Sequence, residues 1–136
     1  MKTLIDYYDD FAEDWANRWY ENEELLPYLK EFLTHLPKSP RVLDLCCGAG
    51  YESMRLNKLG ANVVGVDLSK NSIKIARKRN PEIEFYVKDM LKPYTDLSRF
   101  DGVACIAGII HINEEDLDVA FKNMADVLKT QGYLFL

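Results

Sequence analysis

Three aspartates and two glycines are the residues of this 136-residue chain whose types and spacing could do chemistry. Asp44 precedes the turn-like run Cys46-Cys47-Gly48-Ala49-Gly50, Asp67 comes seventeen residues after Gly50, and Asp89 lies further on. Each sits within or just after a short apolar run: Val42-Leu43-Asp44-Leu45, Val63-Val64-Gly65-Val66 and Glu84-Phe85-Tyr86-Val87. Runs of this kind read as strands, and open parallel sheets bind ligands beyond the carboxyl ends of their strands. Gly48 and Gly50 would let the backbone turn sharply and approach a ligand closely. A carboxylate at Asp67 can accept hydrogen bonds from both hydroxyls of a ribose. Asp89 would stand at the edge where an adenine amino group could donate to it. A lone glycine pair or a lone aspartate after a strand is usually a turn or cap; the joint register is what carries weight.

The charge of this set selects the ligand. A pyrophosphate would be repelled by three carboxylates, and the dinucleotide fingerprint needs a third glycine where this chain has Ser53. An NAD-dependent oxidoreductase is therefore the weaker alternative. A ligand with adenine, ribose and a cationic centre suits the acids better, and S-adenosylmethionine is such a ligand. The candidate general base is His111, in Gly108-Ile109-Ile110-His111-Ile112. Its apolar flanks fit a hydrogen-bonded structural histidine as well, and that second role is the favoured one. Cys46, Cys47 and Cys105 form no C-x-x-C pair and are odd in number, which fits reduced thiols and a cytoplasmic location. Two distant histidines, His35 and His111, give no zinc spacing, so no metal is expected.

The elements that must position these residues follow from periodicity. Leu4, Tyr8, Phe11, Trp15 and Trp19 recur at threes and fours, which predicts one helix over 4–20. A second helix is expected over 23–36, ended by Pro37 and Pro40. Strands are then expected at 42–45, 63–66, 84–87, 100–106 and from 133 onward. Helices are expected between them at 51–59, 69–79 with Ser69 as cap, and from an Asn113 cap through Leu128. Strands alternating with helices imply a parallel, doubly wound α/β sheet covered on both faces. Residues 1–36 hold nine acids and three bases, net −6, while 37–136 hold thirteen acids and fourteen bases, net +1. That gives no basic footprint for nucleic acid, and no apolar run is long enough for a membrane span. The basic cluster Lys70, Lys74, Arg77, Lys78 and Arg79 reads as a solvated helix face.

The segment 42–50 resembles the first motif of class I S-adenosylmethionine-dependent methyltransferases of the small-molecule type. Val63–Ser69 is similar to the second motif, Val87-Lys88-Asp89-Met90 to the third, and Phe100–Val103 and Leu128–Leu134 to the signatures of the fourth and fifth strands. The resemblance covers about 40–136, and Tyr8-Asp9-Asp10-Phe11-Ala12 is similar to the leader of small-molecule members. It implies a mainly parallel Rossmann-like sheet of order 3-2-1-4-5 behind an acidic helical cap at 1–36, one domain in all. Asp44, Cys46, Gly48 and Gly50 would line the methionine end of the cofactor, and Asp67 would hold the ribose. Leu68 and Met90 would sandwich adenine, Asp89 would take its amino group, and Ile106 and Ala107 would complete the floor. Tyr8 and Trp15 are candidate lid residues, or only pin the acidic helix to the sheet. Cys46 departs from the family's usual glycine and demands a negative φ or some strain.

What the resemblance implies is methyl transfer to a small, cationic or neutral acceptor by in-line displacement, with S-adenosylhomocysteine as product. The alternative is a cofactor-binding module without catalysis. Members of the family usually continue with strands 6 and 7, which are expected to be missing here. An exposed fifth strand then invites a homodimer.

Overall fold

The computed structural model describes all residues, Met1–Leu136. Five strands, β1 (Arg41–Leu45), β2 (Asn62–Asp67), β3 (Glu84–Val87), β4 (Phe100–Ala104) and β5 (Leu128–Phe135), form one parallel sheet of order β3-β2-β1-β4-β5. Six helices accompany it: α1 (Leu4–Asp10), α2 (Ala12–Trp19), α3 (Leu26–Thr34), α4 (Tyr51–Lys58), α5 (Lys70–Arg79) and α6 (Leu117–Val127). β1 pairs with β2 on one side and β4 on the other, so the winding reverses beside it. The carboxyl end of β1 is therefore the switch point at which doubly wound sheets hold ligands.

Side-chain alternation along β1 builds both layers of the core. Leu43 and Leu45 pack with Val64, Val66 and Met124 on one face, while Val42 packs with Val63, Ile73 and Phe85 on the other. Each such side chain contributes about 1.5–3 kcal/mol on burial. Gly65 is fixed by packing, since a β-carbon there would lie 2.5 Å from the Phe85 ring. No helix is long and apolar enough to cross a membrane.

The elements differ from expectation in five places. The helix over 4–20 is kinked into α1 and α2 at Phe11 (φ −105°, ψ 15°), although Phe11 still donates to Tyr7 O and Trp15 to Phe11 O. The kink lets Asp9 reach the start of α5 while Ala12 and Ala16 bury against Ala49 and Ile75. The second helix is shorter, 26–34, because Pro27 belongs in a first turn and starts it there. Asn113 makes no side-chain cap; a 3₁₀ turn, Glu114–Asp116, leads into α6 instead. β4 ends at Ala104, and β5 begins at Leu128 rather than Tyr133. Between the pairs Phe100–Leu128 and Gly102–Tyr133 the ladder is bulged, with Gln131 at φ 65°. Ser69 does cap α5, accepting from Ser72 N at 3.1 Å.

Candidate active site

A cavity of about 660 Å³ opens at the carboxyl ends of β1, β2, β3 and β4. That volume is ordinary for a small-molecule site. Asp44, Asp67 and Asp89 all line it, as do Cys46, Gly48, Leu68, Met90, Ile106 and Ala107. Tyr8, Trp15 and His111 line it too. Gly50 is the exception among the expected site residues. It sits at φ 85° as the residue before α4, and a β-carbon there would meet the Phe85 ring at 2.9 Å and Ala76 at 3.0 Å. Its freedom serves helix packing, not the cavity wall.

Asp67 organises the loop after β1. Its Oδ2 accepts from Gly48 N at 2.8 Å and its Oδ1 from Ser69 N at 2.9 Å. Each oxygen keeps a second lone pair free for a hydroxyl. Burial pushes its pKa up while these backbone N–H groups pull it down. Asp44 is more deeply buried, 2% exposed, and accepts from Ser53 Oγ at 2.6 Å. Burial, opposed by that bond and reinforced by Glu52 and Asp67, raises its pKa to about 7. Ser53, the residue that argued against a dinucleotide, is thus the partner of the strand-one acid. Asp89 accepts from Leu91 N at 2.9 Å, Met90 is buried, and Leu68 is about half exposed on the opposite wall.

The loop holds the strain foreseen for a cysteine at position 46. Cys46 adopts φ 62°, the left-handed region. Its Sγ donates to Met90 Sδ at 3.5 Å, and the neighbouring Cys105 thiol, with burial, raises the Cys46 pKa. Gly108 makes room for both sulfurs, since a β-carbon there would lie 2.7 Å from Cys46 Sγ and 2.8 Å from Cys105 Sγ. Cys47 and Cys105 are buried as small apolar groups.

Tyr8 and His111, 103 residues apart, meet across the mouth: the Tyr8 hydroxyl and His111 Nε2 are 2.9 Å apart. His111 is exposed there, at the end of a 3₁₀ turn, Ile109–His111. Residues not expected at the site also line the cavity, notably Trp19, Tyr51, Glu52 and Lys88. Tyr51 and Glu52 follow the glycine loop directly and open α4, a position from which side chains reach a ligand at a helix start.

A methyltransferase-domain family model matches residues 42–132. The ubiquinone biosynthesis O-methyltransferase of Pelagibacter ubique is 30% identical over 99% of this chain and 63% of its own length. That of Coxiella burnetii is 32% identical over 98% of this chain and 60% of its own. The chain thus spans about three fifths of the curated relatives it matches. Among solved structures, a Pyrococcus horikoshii protein superposes with a TM-score of 0.74 at 32% identity, covering 97% of this chain and 60% of that one. The sequence motifs, the 3-2-1-4-5 sheet and these matches together show that the chain belongs to the class I S-adenosylmethionine-dependent methyltransferase family.

Proposed function

We propose that this chain binds S-adenosylmethionine at the β1–β4 cavity and transfers its methyl group to a small-molecule acceptor, releasing S-adenosylhomocysteine. The observation that carries the reading is the convergence of the three strand-end carboxylates on one cavity. The residues fit the cofactor. Asp67 retains two lone pairs for the ribose hydroxyls, Leu68 and Met90 flank the adenine position, and Asp89 faces the exocyclic amine. Asp44 lies toward the methionine end. The same acids, with Glu52 in the first turn of α4, disfavour the pyrophosphate of NAD.

The bound cofactor supplies a methyl group already activated on a sulfonium, with a neutral thioether as leaving group. The protein's part is then chiefly alignment and exclusion of water, and orientation of this kind can lower a barrier by about 7–11 kcal/mol. Tyr8 and Trp15 form the outer wall of the cavity and cover the cofactor as a lid. His111 Nε2 is placed to take a proton from an acceptor hydroxyl or ammonium, a contribution of about 10²–10⁴-fold. The Tyr8 hydroxyl must release that nitrogen first, because its single lone pair cannot serve Tyr8 and the acceptor at once; while the pair holds, His111 has the structural role. The aromatic and acidic character of 1–36 suits a neutral or cationic acceptor more than a polyanion. A solved glycopeptide N-methyltransferase complexed with S-adenosylmethionine, 26% identical over 84% of this chain with a TM-score of 0.71, supports the placement of the cofactor.

Calorimetry with S-adenosylhomocysteine and NAD side by side tests the reading; saturable binding of the first alone is expected, and the reverse preference would sink it. Turnover of His111→Ala on a phenolic or amine acceptor tests the base, and unchanged turnover removes His111 from that role. A cytoplasmic location, supported by three free thiols, and self-association along β5, where Tyr133 and Leu134 are exposed, belong to the same proposal. Light scattering that shows a monomer at all concentrations overturns the last point.

A further inference from the structure

A break in strand alternation draws Cys46 and Cys105 together. Leu43 and Leu45 of β1 face one core layer, so an extended residue 46 would turn its side chain to the other. At φ 62° Cys46 instead packs against the layer of Leu45, which is also the layer that holds Cys105. β1 and β4 are parallel neighbours with Asp44 beside Ala104, so Cys46 lies one residue further along than the position facing Cys105. Spacings of about 4.8 Å between strands and about 3.3 Å along one put the two Cα atoms about 6 Å apart, within the range that a disulfide spans.

The sulfurs converge as well. Cys46 Sγ and Cys105 Sγ stand 2.7 and 2.8 Å from one point, the place a β-carbon would take on Gly108, so at most the sum of those lengths separates them. Cys46 lines the cavity beside Met90, and Cys105 is fully buried behind the lining. The Tyr94 hydroxyl, buried and without a partner, stands near both thiols, an unused donor for a sulfur that becomes a thiolate. Cys47 does not belong to the pair, because its side chain packs in the opposite layer with Val42 and Phe85.

We propose that Cys46 and Cys105 form a redox modification site, a dithiol that a small aliphatic disulfide oxidises to an intramolecular bond at the cavity floor. Cys46, the thiol that lines the cavity, gives its proton to water and attacks the small disulfide; one small thiolate leaves and is protonated. Cys105, as thiolate, then attacks the Cys46 sulfur, and the second small thiolate leaves and takes up the proton that Cys105 released. Two protein thiols are oxidised and one small disulfide is reduced to two thiols. The neighbouring Cys105 thiol and burial hold Cys46 protonated, which makes the first step slow. The Cys105 pKa is held down, by the Cys46 thiol first and by the backbone N–H groups of Ile109 and Gly108, and those N–H groups remain for the second step. Closure to the S–S length of about 2 Å draws the loop after β1 toward β4. That loop carries Gly48, whose N–H donates to Asp67 at 2.8 Å. Resting on the cofactor reading above, the oxidised chain therefore loses affinity for the cofactor.

The test brings the full chain to equilibrium with 2-hydroxyethyl disulfide and 2-mercaptoethanol, blocks the remaining thiols and maps them by mass spectrometry. One crosslink is expected, Cys46 to Cys105, in a chain lighter by two hydrogens and with Cys47 blocked as a free thiol. The oxidised chain is expected to bind S-adenosylhomocysteine about tenfold more weakly or worse, and dithiothreitol to restore the affinity. Cys105→Ala is expected to bind within about twofold of the reduced wild type and to ignore the oxidant. A crosslink to Cys47 or between chains, mixed disulfides alone, or three free thiols in the most oxidising mixture would falsify the dithiol. A Cys46–Cys105 bond that leaves the affinity unchanged, or a Cys105→Ala chain that loses affinity as the wild type does, overturns its link to the cavity. Reduced wild type that binds no S-adenosylhomocysteine overturns the cofactor reading, and the crosslink map still decides the dithiol. Should Cys105→Ala unfold, as thermal melting would reveal, the wild-type map and its reversal by dithiothreitol decide without it.

Discussion

Asp44 combines two demands that conflict. A carboxyl 2% exposed is poorly solvated, and its pKa of about 7 means that the folded chain holds the proton more tightly than the unfolded one. For an acid shifted upward, stability is lost as pH rises from the unfolded pKa near 4 to the folded value near 7, and then levels. Asp44→Asn, whose amide oxygen can still accept from Ser53, is therefore expected to melt higher than the wild type by a margin that grows from pH 5 to pH 8. A margin that shrinks over that range contradicts the burial argument. A ligand bearing an ammonium wants the ionised form. Wild-type affinity for S-adenosylhomocysteine should fall by up to about tenfold per unit below pH 7, with proton release on binding, whereas Asp44→Asn should bind weakly at every pH. Isothermal calorimetry in buffers of different ionisation enthalpy reads both effects. Cys46 offers a second test at this scale. At φ 62° a β-carbon is strained and glycine is not, so Cys46→Gly should be at least as stable as Cys46→Ala. At an ordinary strand or helix position glycine is the worse by about 0.5–1 kcal/mol, so a normal ranking in urea denaturation would show that the loop relaxes.

The helical layer formed by α1 and α2 is attached to the rest of the fold by several polar anchors, among them Tyr8 to His111, Arg55 to Trp19 O and Arg79 to Asn17, and the one at Asp9 can be loosened by itself. Asp9 accepts from Ser69 Oγ and, at 3.1 Å, from Asn71 N, while Asn71 Nδ2 donates to Asp9 O at 3.0 Å. α1 thus helps cap the N-terminus of α5, just before which stand Leu68 and Asp67, the acid proposed to hold the ribose. Asp9→Ala removes a cap worth about 1 kcal/mol. Amide exchange across residues 4–19 should then quicken about fivefold while β1 and β2 keep their protection, since the layer opens without the sheet. Uniformly faster exchange would instead make α1 part of the global folding unit. The strands, α4, α5 and the three acids were legible in the sequence because each follows from a local rule: an apolar run, a glycine stop, a serine cap, a carboxylate after a strand. The kink at Phe11 was not, because the apolar stripe continues through it and only contacts with α5 and Ala49 select the break. Nor was the bulge in β5, where Gly132 sits so close to Leu128, Lys129 O and Asp101 O that a β-carbon would find no room, a fit made only when β4 and β5 pair. The same distinction holds for Trp15 and Glu52 of the cavity lining: their types are ordinary in amphipathic helices, and only the tertiary structure leaves Trp15 Nε1 and Glu52 Oε2 buried without a partner.

Across the whole molecule the charge is divided unevenly, −6 in residues 1–36 and +1 in the remainder. The acidic part is the one that supplies Tyr8, Trp15 and Trp19 to the cavity wall, and behind it stand Asp44, Glu52 and Asp67. A mouth lined by one sign of charge raises the local concentration of oppositely charged ligand and speeds its capture. S-adenosylmethionine, with a sulfonium, an ammonium and a carboxylate, is a net monocation at neutral pH, whereas S-adenosylhomocysteine lacks the sulfonium and is neutral overall. The field should therefore favour entry of substrate over product. Salt should erase the preference, because the screening length shrinks from about 30 Å at 0.01 M to about 8 Å at physiological ionic strength. Stopped-flow tryptophan fluorescence can follow this directly, with Trp15 and Trp19 at the cavity as reporters. The association rate of S-adenosylmethionine should drop several-fold across that salt range, and that of S-adenosylhomocysteine should change much less. Parallel salt slopes for the two ligands would show that the acidic layer acts only as a wall and exerts no steering.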